Sequence, residues 1–222
     1  MMQQMADIHR SLEQSYEKSG KFKVTKAENR NILLIGRSRV GKSTFKSMLM
    51  NPTNPVKDRS LRSDRQKASC QSIYLKDTNM VINIIDGPGF FERGTQDDPL
   101  RDNAMIFETI QECVKREITK LHIFCFCIAV SNGIITEDIK TIELFKEYFG
   151  GQIDSNSCLL VTTSENLNEE RRAKIKQDIW EDTKFSCYKH FFKQGIYFTG
   201  AIELSMIEDE HRTLITNSFQ HQ

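Results

Sequence analysis

The chain has 222 residues with 31 basic and 30 acidic side chains, a net charge of +1, 38% hydrophobic residues and only 4 prolines. That length suits a single α/β domain that buries roughly two-thirds to three-quarters of its unfolded surface without a disulfide or metal staple, and the balanced charge excludes the basic asymmetry of a general nucleic-acid binder. No Gly/Pro/Ser-rich tract supports long disorder, and no apolar run approaches the roughly 18 to 20 residues of a membrane span, the longest (residues 121–130) being strand-sized.

In chain order, residues 1–28 read as an N-terminal extension, and residues 29–222 as the domain proper. Within the extension Met5, Ile8 and Leu12 share one helical face, which suits either a docking segment or a frayed helix. The extension lacks a secretory apolar core, and its Asp7, Glu13 and Glu17 argue against an acid-poor transit peptide. A cytosolic location is therefore the default.

The first strand spans residues 31–35, apolar after Asn31 and followed at once by Gly36, and a helix runs over 43–50. Residues 51–68 turn polar, with Pro52, Pro55 and seven charges from Lys57 to Lys67, and read as a long loop. Residues 70–75 and 81–85 form two strands joined by a turn at 76–79, an antiparallel pair. A loop rich in Gly, Asp and Arg covers 87–101, and a helix follows with Ala104, Ile106, Ile110, Cys113 and Val114 at helical spacing. Residues 121–130 are the next strand. Thr136 is placed as the N-cap of a helix that buries Ile139, Ile142, Leu144, Phe145 and Phe149 and stops at Gly150-Gly151. A strand at 158–162, an amphipathic helix over 169–193, a short strand at 195–198 and a helix from 203 complete the chain. Alternating βα units of this kind predict a mainly parallel sheet with helices on both faces.

Gly36-Arg37-Ser38-Arg39-Val40-Gly41-Lys42-Ser43 fits G-x-x-x-x-G-K-[ST], and it stands between a strand and a helix, the context that gives the pattern its meaning. Successive N–H groups of a loop entering a helix N-terminus, here about Arg39 to Thr44, make a concavity suited to a β-phosphate. Lys42 adds a cation at the β/γ oxygens, and Ser43 offers a hydroxyl to Mg²⁺, a hard ion that takes oxygen ligands. Lys42 and Ser43 are thus the candidate catalytic pair. Asp86-Gly87-Pro88-Gly89 closes the strand at 81–85 with a D-x-x-G turn, in which Asp86 holds the metal and the Gly89 N–H meets a γ-phosphate. Phe90 follows where a water-orienting glutamine stands in Ras-like enzymes, and a phenyl ring cannot orient water.

The six cysteines are too sparse for a disulfide scaffold and mostly sit in apolar segments. Cys125 and Cys127 share one face of a strand, with no second pair or nearby histidine to make four ligands, and read as core packing. The arginines 37, 39, 93 and 101 read singly as solvated loop residues, with stabilisation of transition-state charge as the alternative. The basic run 57–67 reads as a solvated loop, with contact to an anionic membrane or a partner as its alternative.

The order of P-loop, D-x-[PT]-G-[FL] turn, then Gly133-Ile134-Ile135-Thr136-Glu137-Asp138 and a helix closing in Phe149-Gly150 resembles the AIG1/GIMAP group of septin-like GTPases. The match runs from about residue 31 to 204. It implies a three-layer α/β P-loop NTPase G domain with a mainly parallel central sheet and one antiparallel strand, binding GTP/GDP with Mg²⁺. It also implies that Ser69, in the step Ser69-Cys70-Gln71, ligates the metal together with Ser43 and Asp86. Glu165, in Thr162-Thr163-Ser164-Glu165-Asn166-Leu167, stands where the family has a base-reading aspartate. Thr199-Gly200-Ala201 resembles the loop whose N–H meets the guanine carbonyl. Ile134 occupies the position of a family arginine, which excludes an arginine finger from there. The resemblance further implies a homodimer or homo-oligomer in the GTP state. The expected activity is slow GTP hydrolysis in the cytoplasm, with peripheral membrane contact open. The alternatives are a GTP-dependent scaffold that barely hydrolyses and, less in keeping with D-x-x-G, a P-loop kinase or ATPase.

Overall fold

The structure is a computed structural model that describes residues 27–51, 69–87, 89–90, 107–108, 111 and 120–201. The expected N-terminal extension up to residue 26, the loop at 51–68 beyond its first residue, most of the loop and helix between 91 and 119, and the helix from 203 lie outside the described residues.

Six strands, β1 (Glu28–Ile35), β2 (Ser69–Leu75), β3 (Met80–Asp86), β4 (Ile123–Ala129), β5 (Ser157–Thr162) and β6 (Ile196–Phe198), form one sheet in the order β2-β3-β1-β4-β5-β6. All neighbours are parallel except β2 and β3, which pair antiparallel from Ser69↔Asp86 to Leu75↔Met80. This is the mixed α/β sheet expected from the sequence. Three helices are described: α1 (Lys42–Met50), α2 (Thr136–Phe149) and α3 (Glu169–Glu181). After β1 the chain passes to one side of the sheet for β3 and later to the other for β4. The end of β1 is therefore a topological switch point, where a crevice opens outside the strand ends.

The two faces of the sheet are sorted by side-chain size. Along β4 the alternation sends Phe124, Phe126 and Ile128 to one face and Cys125 and Cys127 to the other. The large face packs on Phe145 of α2 and on an aromatic block made of Phe185, Tyr188, Phe191 and Phe192. The small face packs Cys125, Cys127 and Cys158 with Leu34, Val40 and Phe45, which brings the loop after β1 close to the sheet. Hydrogen bonds to Cys127 and Cys158, together with burial, raise the Cys125 thiol well above its ordinary range. These thiols are packing atoms, as expected.

Several boundaries differ from expectation for physical reasons. β1 begins at Glu28, because its polar first residues pair with Met80 and Val81 on β3 and need no apolar signal. β4 stops at Ala129, and residues 130–132 form a 3₁₀ turn. Thr136 is not the N-cap of α2: the cap is Ile135, whose N–H donates to the Asp138 carboxylate at 3.0 Å. α3 ends at Glu181 rather than 193. Asp182 leaves helical geometry (φ −58°, ψ 127°), and its carboxylate accepts from the N–H groups of Lys184 and Phe185, both at 2.9 Å. The aromatic block lies in the turns that follow, where spacings of three residues serve a 3₁₀ turn as well as an α-helix.

Candidate functional site

The loop at 36–41 leaves the buried end of β1 and enters α1 through residues in positive-φ geometry: Gly36 (149°), Arg39 (64°) and Gly41 (85°). Gly36 has a second constraint, since a Cβ there would meet the Cys127 carbonyl at 2.7 Å. The loop is pinned from β5, whose Thr162 hydroxyl donates to the carbonyls of Val40 (2.6 Å) and Ile128 (3.0 Å). Such a loop presents N–H groups at a helix N-terminus, the arrangement that binds anions. Lys42 is buried, and its ammonium donates to the carbonyls of Gly36 (2.8 Å) and Arg37 (2.7 Å) on the same loop.

The expected metal-side residues come together. Ser43 Oγ–H donates to Asp86 Oδ2 at 2.7 Å, joining the first turn of α1 to the end of β3. Ser69 lies opposite Asp86 in the β2–β3 ladder. Two hydroxyls and a carboxylate are the oxygen donors that a hard divalent ion takes, so these side chains fit Mg²⁺. Gly89 lies directly against the Ser38 backbone, where a Cβ would collide. Phe90 is fully buried among Phe107 and Phe145, and its N–H donates to the Gly36 carbonyl at 3.3 Å. It packs, and has no reach toward a water.

A second group forms beyond β5 and β6. Ser164 donates through N–H (3.0 Å) and Oγ–H (2.8 Å) to the Thr199 carbonyl, which binds the two loops together. Gly200 abuts the backbone and carboxylate of Glu165 so closely that a Cβ would collide with both. Glu165 is exposed, and Ala201 follows Gly200 half-buried. Thr162, three residues before Glu165, connects this group to the phosphate loop.

Three contacts escaped the sequence reading. Arg37 is not a solvated loop arginine: its Nε–H pairs with the buried Asp138 carboxylate at 3.1 Å, with side chains 14% and 3% exposed. Burial raises the Asp138 carboxyl, against the opposing pull of the Ile135 N–H and Arg37. Lys46 is buried on α1, with its ammonium 2.6 Å from Ser69 Oγ and 3.4 Å from Asp86 Oδ2. The available signal was spacing: Lys46 lies one turn from Lys42 and Ser43 on the same helical face. Ile134, where an arginine was excluded, packs half-buried against the core.

Among the described residues no helix is long and apolar enough to cross a membrane. A model of the AIG1 family matches residues 30–184. GTPase Der from Thermosipho africanus (strain TCF52B) is 23% identical over 150 residues, covering 68% of this chain and 30% of that protein. The chain spans less than a third of the length of the curated relatives it matches. Among solved structures, Toc33 from Arabidopsis thaliana in complex with Mg²⁺ and GMPPNP superposes with a TM-score of 0.52 at 16% identity, covering 87% of this chain and 78% of that one. A structure of the chloroplast translocon components atToc33 and psToc159, for whose GTPase activity dimerization is important, gives a TM-score of 0.55 at 19% identity and covers 86% of this chain and 77% of that one. At these identities the structural likeness is one of fold.

Proposed function

The chain belongs to the AIG1 family, and from that premise we propose that it is a guanine-nucleotide switch that binds GTP and GDP with Mg²⁺, hydrolyses GTP slowly and self-associates when GTP-loaded. The observation that carries the reading is the Ser43–Asp86 hydrogen bond at the mouth of a positive-φ phosphate loop. It joins the helix that would receive the phosphates to the strand end that would hold the metal. Ser43, Asp86 and Ser69 are the residues to hold Mg²⁺, which supplies charge neutralisation at the phosphate oxygens. Residues 36–44 cradle the phosphates, Lys42 turning from the Gly36 and Arg37 carbonyls toward them. Gly89 takes the γ-phosphate, and Glu165 with Gly200 and Ala201 takes the base.

Slow hydrolysis follows from two residues. Phe90 is locked in the core, and Ile134 carries no charge. Neither a water-positioning side chain nor a finger comes from these positions. The same two residues favour a second reading, a GTP-bound scaffold that barely hydrolyses. Single-turnover hydrolysis that rises with protein concentration marks the enzyme, and a flat response marks the scaffold. Self-association is supported by the dimerization named for the Toc33 structure of like fold. A cytoplasmic setting with peripheral contact to an anionic surface through the basic run 57–67 belongs to the same reading.

The base assignment is tested by competition binding. A carboxylate accepts from guanine N1–H and its 2-amino group, so inosine triphosphate leaves one oxygen unpaired at a cost of roughly 1 to 3 kcal/mol. The expected order is GTP, then ITP, then ATP, with the differences erased in Glu165→Ala. Equal affinities for all three, unchanged in Glu165→Ala, would remove Glu165 from base reading.

A further inference from the structure

We propose that Lys46 is a resident counter-ion of the metal site, a side-chain cation that holds Ser69 and Asp86 together without a metal and makes nucleotide binding only weakly dependent on Mg²⁺. The inference deepens the nucleotide-switch reading and rests on it.

Three observations meet on one ammonium. It donates to Ser69 Oγ at 2.6 Å, and it lies 3.4 Å from Asp86 Oδ2. That carboxylate oxygen is the one that accepts from Ser43 at 2.7 Å. The Lys46 and Asp86 side chains are 7% and 1% exposed, so the pair is withdrawn from water and screened little by salt. Lysine has three donors and no acceptor, so Lys46 cannot ligate a metal and acts on the site only as a positive charge.

The chemistry follows from that charge. A buried carboxylate with no compensating cation is costly, and a site built of Asp86, Ser43 and Ser69 alone would need a metal ion to be stable. Lys46 removes that need. Its charge already offsets Asp86, so a divalent ion arriving with the phosphates gains less from that carboxylate than it would from a bare one. Lys46 also ties β2, through Ser69, to α1 and β3.

The test is the affinity for N-methylanthraniloyl GDP measured in Mg²⁺ and in EDTA. In the wild-type chain the ratio of the two affinities should be below about tenfold, and in Lys46→Met it should grow by about tenfold or more, the scale of one charge-assisted contact. Lys46→Arg, which keeps the charge, should keep the ratio low. Lys46→Gln, which keeps a donor for Ser69 without the charge, takes the place of Lys46→Met if that variant fails to fold. A wild-type affinity that EDTA lowers by more than about a hundredfold overturns the proposal and leaves the nucleotide reading standing. An equally small ratio in the folded uncharged variant also overturns it. No binding by the wild type in either buffer overturns the nucleotide reading itself, and this proposal with it.

Discussion

A side chain half-buried against its partner behaves unlike the same residue in water, and in this chain the consequence is readable at His122. Its Nδ1 accepts from the Asn31 N–H at 3.0 Å, in a network that continues from Asn31 to the Lys120 carbonyl and to Asn83. A protonated imidazole cannot accept that bond. Burial, and then the nearby Arg30 and Lys120, hold the His122 pKa below 6.5. Between that lowered value and 6.5 the unfolded chain binds more protons than the folded one, so stability rises with pH across the window. The contribution is complete above 6.5 and is lost as pH falls toward the folded value. Urea denaturation from pH 5 to 7.5 should therefore show a steeper acid-side loss in the wild type than in His122→Gln; parallel curves would mean that His122 does not titrate in this linkage. Lys46 and Arg37 show why residue-scale roles were hard to read from the sequence. The default environment of a lysine on a helix or an arginine in a loop is water. The partners that withdraw them from it, Ser69 and Asp138, stand 23 and 101 residues away.

Among the elements, α2 carries the most consequence for the site. Its first turn is closed by Asp138, which accepts from the Ile135 N–H and pairs with Arg37 of the phosphate loop. One buried carboxylate thus caps a helix and fixes a loop. Removing it alone strands the Arg37 guanidinium and opens the cap, so Asp138→Ala should cost about 3 to 5 kcal/mol. Replacing both partners with leucine leaves no buried charge behind and should cost less than that single change. Urea denaturation of the single and double variants checks this, and a double variant at least as unstable as the single would show that the pair is not the source of the loss. Element existence was legible where burial is two-sided: β1, β4 and β5 are apolar runs because helices or loops cover both faces. Element ends were not, because they are set by single polar contacts. Asp182 halts α3 by bonding the N–H groups ahead of it, and no hydrophobic period records that.

At the scale of the molecule, the strand order β2-β3-β1-β4-β5-β6 places both halves of the candidate site at the C-terminal ends of the parallel strands, one after β1 and β3 and the other after β5 and β6. The phosphate half was legible outright, because a glycine-framed loop ending in Lys-Ser between strand and helix leaves few alternatives. The base half was legible only by resemblance: Glu165 and Gly200 meet through loops that no local pattern links. Thr162 spans the two halves, so the loop that would hold phosphate is anchored by the strand that leads to the base.

The central claim is that this loop binds the phosphates of a guanine nucleotide, and Lys42 is where it is most exposed to test. Isothermal titration of Mg²⁺-GTP into the wild type and into a Lys42→Ala variant that keeps its native circular dichroism is the direct measurement. Loss of a charge-assisted contact worth about 2 to 3 kcal/mol should weaken binding ~30-fold or more. Unchanged affinity in the folded variant would contradict the account.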